Sequence, residues 1–277
     1  MKKREKALFS ALGSAVGLGL GWLWLSAPAK SGKERRAPFE KRYFAHRGLF
    51  DPEAGIPENS LAAFRAAAER GYGAELDVRL TRDGKAVIMH DANVQRMTGA
   101  DLVIEQSDWA QLSELQLDGT EEHIPLFSQA LDVLCAAGVP VIVEVKAGPA
   151  DRFGALCAEV LSVMDSHDGD LCVESFDPRI VRWFRFNAPD LLRGQLIDRT
   201  RNPAVSPVIN WMASRGLLNF LGRPHFIAHS LEKKSLSVRL AEALGAMRIC
   251  WSVRNRRRED RNDAVIFERF HPPTRYL

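Results

Sequence analysis

The sequence predicts a closed (β/α)8 barrel of the TIM type, preceded by one apolar N-terminal segment. Two observations carry the barrel. From Tyr43 onward, short apolar runs alternate with helical stretches, and about eight such units fit in the last 230 or so residues. Alternation of this kind argues for a parallel sheet, and that number of units suits closure better than an open sheet. The third observation is at the other end. Residues Ala7–Leu25 are nineteen uncharged residues behind MKKREK, about the length that spans a hydrocarbon core at ~1.5 Å per residue.

In chain order, the N-terminal segment comes first. Trp22 and Trp24 stand near its outer end, where interfacial aromatics are favoured. Basic residues flank it on both sides, so orientation stays open. Ala27-Pro28-Ala29 also fits a signal-peptide cleavage site. Residues 1–29 are therefore expected to be a single-pass membrane anchor, or a signal peptide that leaves a secreted protein. Residues 30–41 are expected to be a polar tether and 42–277 the barrel.

The barrel's strand candidates are RYFAH, AELDVRL, AVIMH, VPVIVEV, DLCVESF, LLRGQLI, HFIAHS, MRICWSV and DAVIF. Helix candidates between them include NSLAAFRAAAER, PLFSQALDVLCAAG, RFGALCAEVLSVMD, DPRIVRWFRFN and LEKKSLSVRLAEALG. The stretch from Thr200 to Arg223 is apolar for a loop, and reads as a core helix or as a surface resting on lipid. RNRRRED after the eighth strand reads as a solvated loop.

Composition narrows the function classes. A net charge of +3 over 277 residues, with no basic residues interleaved with aromatics, excludes a nucleic-acid binder. Four cysteines without C-x-x-C spacing write neither a zinc site nor a redox motif. Cys172 and Cys250 lie in apolar runs and read as small buried hydrophobes.

Polar residues interrupt the strands where apolar ones are expected. Buried parallel strands normally read as near-continuous apolar runs, yet Glu75, Asp77 and Glu144 sit inside them. A carboxylate there is costly unless paired or bound to a cation. Three facing one another repel unless a divalent ion lies between, and oxygen-only ligation suits Mg2+ or Ca2+. His46 ends the first strand and His90 the third. They are candidates for general base and general acid near neutral pH.

At these residues the chain resembles the glycerophosphodiester phosphodiesterases. The likeness rests on H-R-G at His46–Gly48, P-E-N-S at Pro57–Ser60, E-L-D at Glu75–Asp77 and T-R-D-G at Thr81–Gly84. It continues through H-D at His90–Asp91 and E-V-K at Glu144–Lys146, with weaker echoes in E-S-F at Glu174–Phe176 and C-W-S-V at Cys250–Val253. The resemblance implies a TIM-barrel hydrolase that releases sn-glycerol 3-phosphate and an alcohol from a glycerophosphodiester. Glu75, Asp77 and Glu144 would hold one divalent cation, and His46 and His90 would form the acid–base pair. Arg47 and Lys146 would bind the phosphate, with Glu58 and Trp251 at the rim. Asn59 is also a candidate N-cap for the helix that follows. The chain departs from the family where Arg254 replaces an asparagine and DAVIFERF lacks the usual aspartate, which touches the substrate side of the last loops. The alternative is a catalytically silent, membrane-tethered barrel that binds phospholipid headgroups or a partner.

Overall fold

The computed structural model describes residues 17, 19–199, 206–230, 233–255 and 261–276. Nine strands form one sheet: β1 (Arg42–Ala45), β2 (Gly73–Leu80), β3 (Ala86–Ile88), β4 (Val141–Val145), β5 (Leu171–Ser175), β6 (Leu192–Ile197), β7 (Phe226–His229), β8 (Met247–Val253) and β9 (Ala264–Phe267). Eight of them pair in parallel in the order β1-β9-β8-β7-β6-β5-β4-β2, and a β1–β2 pairing closes the barrel. The fold class expected from the sequence is the one observed.

The ninth strand departs from expectation. β3 runs antiparallel to β2, with Val78 opposite Ile88. Only Thr81–Lys85 separates the two strands, too few residues for the crossover that a parallel neighbour needs. Gly84 at φ 81° closes the turn, and its N–H donates to the Thr81 carbonyl. β3 thus returns toward the barrel, and the Met89 N–H reaches the Asp77 carbonyl.

Helices α1 (Leu61–Glu69), α2 (Phe127–Ala136), α3 (Phe153–Asp165), α4 (Pro178–Asn187), α5 (Pro207–Ala213) and α6 (Leu236–Ala243) punctuate the strands. The first four cover β2, β4 and β5 with their apolar faces, and Phe64, Phe127 and Phe184 are fully buried there. The strands' other face fills the barrel with Phe44, Ile142, Leu192, Phe226 and Ile249. Ser60, not Asn59, caps α1, its Oγ accepting from the Ala63 N–H. Asn59 is drawn to φ 57° and turned to the site. The four cysteines are free, and three of them are buried.

Two N-terminal readings change. The expected tether is part of the barrel. Phe39 is buried and stacks on Phe44 inside the lower end, ring centroids 6.0 Å apart. Arg35 pairs with Asp190 at 2.8 Å. An aromatic ring removed from water is worth more than a free linker, and it closes the barrel floor. Of the expected span, residues 1–16 and Leu18 lie outside the described residues. Among those described, no helix is long and apolar enough to cross a membrane. The end of the segment packs on the barrel: Trp24 meets Phe220 at 5.8 Å, and Trp22 Nε1 donates to Ser237 Oγ at 3.0 Å. The core-helix reading of Thr200–Arg223 also fails for α5, none of whose residues is buried. Residues 256–260 of the RNRRRED run lie outside the described residues.

Gly194 on β6 has no room for a side chain, because a Cβ there would stand 1.9 Å from the Phe226 ring. Gly194→Ala should therefore destabilise the barrel by about 1–3 kcal/mol, the usual scale of overpacking. A chemical-denaturation midpoint unchanged from the parent protein would contradict that packing.

Candidate active site

Strand register assembles the acids. Asp77 on β2 aligns with Glu144 on β4, and Glu144 with Glu174 on β5. Register partners in parallel strands point to one side, so these carboxyls form a row across three strands. Glu75, two residues before Asp77, shares its face. All four are buried. Ligand oxygens of Glu75, Asp77 and Glu144 lie within 4.8 Å of one another.

One lysine stands among them. Lys146 Nζ is 2.7 Å from Glu144 Oε1 and 2.9 Å from Asp77 Oδ1. Asp77 Oδ2 accepts from Asn59 Nδ2 at 2.8 Å. Burial opposes the Asp77 charge, but Lys146, then His90 and Arg47, hold its carboxyl far below the usual range. Glu144 goes the other way. Burial, resisted by Lys146 and reinforced by Asp77, pushes it up to about 7. Burial, followed by Asp77 and Glu144, raises Glu75 well above an ordinary glutamate. Glu174 is raised by burial and by Glu144, and its Oε2 has no hydrogen-bond partner.

The H-R-G turn at the end of β1 delivers the next groups. A Cβ on Gly48 would fall 2.8 Å from Ala63, so glycine is required for the chain to pass α1. Arg47, at φ 56°, donates its backbone N–H to Glu75 Oε2 at 3.0 Å. His46 Nε2 lies 3.9 Å from the same Glu75 oxygen, and its Nδ1 is 3.1 Å from Glu268 Oε2. Glu268, immediately after β9, also accepts from Arg254 Nε at 2.7 Å. The hydrogen bond from His46 is the first cause that holds Glu268 down at about 2.

His90 follows β3, which pairs along the edge of β2 away from β4. Its Nδ1 is 2.7 Å from Asp91 Oδ1, and Arg79 clasps its carbonyl through Nε and Nη2 at 3.0 and 2.8 Å. Burial depresses its pKa, against Asp77 and with Lys146 and Arg47. A chain of ion pairs joins the two sides. Arg47 Nη1 reaches Glu58 Oε1 at 2.7 Å, and Arg96 Nη2 meets the same oxygen at 2.6 Å. Arg96 Nε then contacts Asp91 Oδ2, the carboxylate that also holds His90. Trp251, half-buried, packs on the barrel interior and meets Phe176 edge-on at 6.0 Å.

All nine residues expected at the site lie at this end of the barrel. The sequence reading missed Asn59, Arg79, Asp91, Arg96, Glu174 and Glu268 as parts of it. Glu174 was visible as a carboxylate in an apolar strand like the other three. DAVIFERF lacks the usual aspartate, as read, but Glu268 just after the last strand brings an acid to the site there. Arg254 is bound to that acid.

The donor set suits a hard divalent cation. Its oxygens are buried, close and over-supplied with acid, and Asp77 Oδ1 takes no well-directed hydrogen bond although Lys146 lies near. Ionising Glu75 and Glu144 together needs more positive charge than Lys146 and Arg47 bring.

Buried acids in a parallel barrel, beside two carboxylate-backed histidines and two cations, make an enzyme-like site. A sequence model of the glycerophosphoryl diester phosphodiesterase family matches residues 46–270. The chain belongs to that family. Its sequence is 33% identical over 111 residues to a glycerophosphodiester phosphodiesterase of Caldanaerobacter subterraneus, covering 38% of this chain and 44% of the relative. It is 33% identical over 146 residues to glycerophosphodiester phosphodiesterase 1 of Mus musculus, covering 50% of this chain and 43% of the relative. The matches thus span under half of these relatives. The fold is that of a phosphodiesterase of Oleispira antarctica solved with the product sn-glycerol 3-phosphate (TM-score 0.68, 22% identity, 84% of this chain and 94% of that one). It is also that of a Thermotoga maritima glycerophosphodiester phosphodiesterase (TM-score 0.60, 24% identity, 81% and 93%).

Glu144 at about 7 sets the sign of a pH effect. Its neutral form favours the metal-free fold, so that stabilisation is full below the ordinary glutamate range and is lost as pH rises through about 7. Cation binding should run oppositely, strengthening with pH as protons leave Glu144 and Glu75. Calorimetric titration with Mg2+ or Ca2+ at pH 6 and 8 should show proton release at the lower pH, reduced in Glu144→Gln. Equal affinity at both pH values would contradict the assignment.

Proposed function

We propose that the chain is a metal-dependent phosphodiesterase that hydrolyses glycerophosphodiesters to sn-glycerol 3-phosphate and an alcohol. The observation that carries this reading is the carboxylate cluster together with His46 and His90, each histidine held at Nδ1 by its own carboxylate. Glu75, Asp77 and Glu144 hold one divalent cation, Mg2+ or Ca2+. When bound, that cation offsets the negative charge that grows on the phosphoryl oxygens.

The chain's own groups do the rest. With Nδ1–H donated to Glu268, His46 presents an unprotonated Nε2, and His90 does the same against Asp91. One accepts the proton of the attacking hydroxyl and the other, once protonated, returns one to the departing alkoxide. The attacker is either water or the substrate's own 2-hydroxyl, and both routes use the same pair. Arg47, aimed by Glu58, and Lys146 bind the phosphate and complement its transition-state charge. Asn59 and Arg79 act as positioning residues for Asp77 and His90. Glu58 and Trp251 border the site.

The apolar segment at residues 1–29, whose end packs on the barrel at Trp22 and Trp24, is proposed to tether the enzyme to a membrane through the residues ahead of that packing. A relative named lysophospholipase D, from Rattus norvegicus and 28% identical over 152 residues, fits a lipid-borne substrate.

Release of glycerol 3-phosphate from glycerophosphocholine, abolished by a chelator and restored by cation, tests the reading directly. No release with Mg2+ or Ca2+ would instead support the silent barrel. Within an active enzyme, Glu268→Gln should lower kcat roughly 10- to 100-fold, the scale for losing an outer-shell partner of a site residue. KM should change little, because Glu268 fixes the His46 ring rather than binding substrate. A loss carried by KM with kcat unmoved would contradict that positioning role.

A further inference from the structure

Among the described residues, eight of the eleven large apolar side chains left exposed belong to three segments. Leu20, Trp22 and Trp24 are among those on the N-terminal helix, residues 19–26; Val208, Ile209 and Trp211 stand on α5; Leu236 opens α6. Scattered apolar surface residues are ordinary, but a gathered set is not.

Contacts join the three segments into one face. Trp22 Nε1 donates to Ser237 Oγ beside Leu236 at 3.0 Å. Ser235, which caps α6, donates to the Arg215 carbonyl at 2.8 Å, and the Arg215 guanidinium lies 4.8 Å from the centre of the Trp211 ring. Arg223 stacks likewise on Trp24 at 4.7 Å. Tryptophan beside guanidinium, with apolar bodies outward, is the chemistry of a membrane interface rather than of a dry core.

The path of the chain sets the direction. Arg36 reaches the Gly245 carbonyl and Ala29 the Pro224 carbonyl, both just before strands β8 and β7 and so at the barrel floor. Trp22 touches Ser237, in the first turn of a helix that follows the upper end of β7. From Ala29 back to Trp22 the chain climbs from floor to mouth. α5 also follows the upper end of β6, and a Cβ on Gly216 would come 3.2 Å from Ile197, the last residue of that strand.

We propose that the β6–β7 connection, with α5, the start of α6 and the N-terminal helix, is a docking face for a phospholipid bilayer, and that it turns the barrel's mouth toward the headgroups. Its partner is the bilayer surface itself. Apolar side chains enter the interface, and Arg215 stands where lipid phosphates lie. The inference deepens the hydrolase reading and rests on it for substrate access, but the geometry of the face stands apart from turnover.

The test uses the full chain in phosphatidylcholine vesicles, with and without lipids brominated on the acyl chain. The emission component lost in Trp211→Phe should be quenched by the brominated lipid. In parallel, Val208→Ser, Ile209→Ser and Trp211→Ser combined should lower kcat/KM for lysophosphatidylcholine carried in vesicles at least about tenfold, a loss of about 1.4 kcal/mol. Turnover of soluble glycerophosphocholine should not change. If neither substrate is turned over by the parent protein, the hydrolase reading fails while the quenching result still decides the face. Trp211 emission untouched by brominated lipid would overturn the proposal. So would a dimer in detergent that the triple variant makes monomeric, since a second copy would then cover the face.

Discussion

Everything at the mouth of this barrel follows from four carboxyl groups placed inside parallel strands, where side chains are ordinarily apolar. Asp77, Glu144 and Glu174 share one register row and Glu75 lies one step below. So much buried acid is unstable without positive charge. Lys146 answers it at 2.7 and 2.9 Å, and Arg47 adds its backbone N–H and side chain. Burial first, and the neighbouring carboxylates with it, raise Glu75, Glu144 and Glu174, so that what remains is met by protonation. The same excess makes the cluster receptive to a divalent ion, so instability of the empty fold and affinity for a cation have one origin.

The histidines sit outside that row and are governed by a different rule. Each is fixed at Nδ1 by a carboxylate that an arginine in turn holds: Glu268 with Arg254, and Asp91 with Arg96. Such pairs set the tautomer and the ring's direction. On the His90 side the chain of ion pairs runs on through Glu58 to Arg47, so residues from the first turn and the β3 segment are held together. A change in Glu58 would therefore be felt at both a phosphate-binding arginine and a histidine.

The N-terminal region serves the same end by other means. Phe39 fills the barrel floor, and the chain before it runs up the outer wall between α6 and the β6–β7 connection. Docking at Arg223 and Phe220 near the floor and at Ser237 near the mouth joins that segment to the barrel along its wall rather than leaving it as an independent leash.

The sequence by itself determined the barrel, the acids and the histidines. Alternating apolar strands and amphipathic helices are local patterns, and a carboxylate in a buried strand is conspicuous wherever it stands. H-R-G was legible through its resemblance to the family's motif, whereas the reason only glycine fits there, the close passage of Ala63, belongs to the fold. Tertiary structure decided what depends on residues far apart in the chain. Glu268 joins His46 across 222 positions and Arg96 joins Glu58 across 38, and no local pattern marks either. The direction of β3 was written in Thr81–Lys85, but its effect, bringing His90 level with Asp77, exists only once the strands pair. The apolar segment before Ser26 read as a membrane anchor or signal peptide, and the apolar stretch before Arg223 as a core helix or a surface on lipid. Which surfaces a chain buries depends on what folds against it, and here Trp22 and Trp24 lie along the barrel wall while α5 stays uncovered.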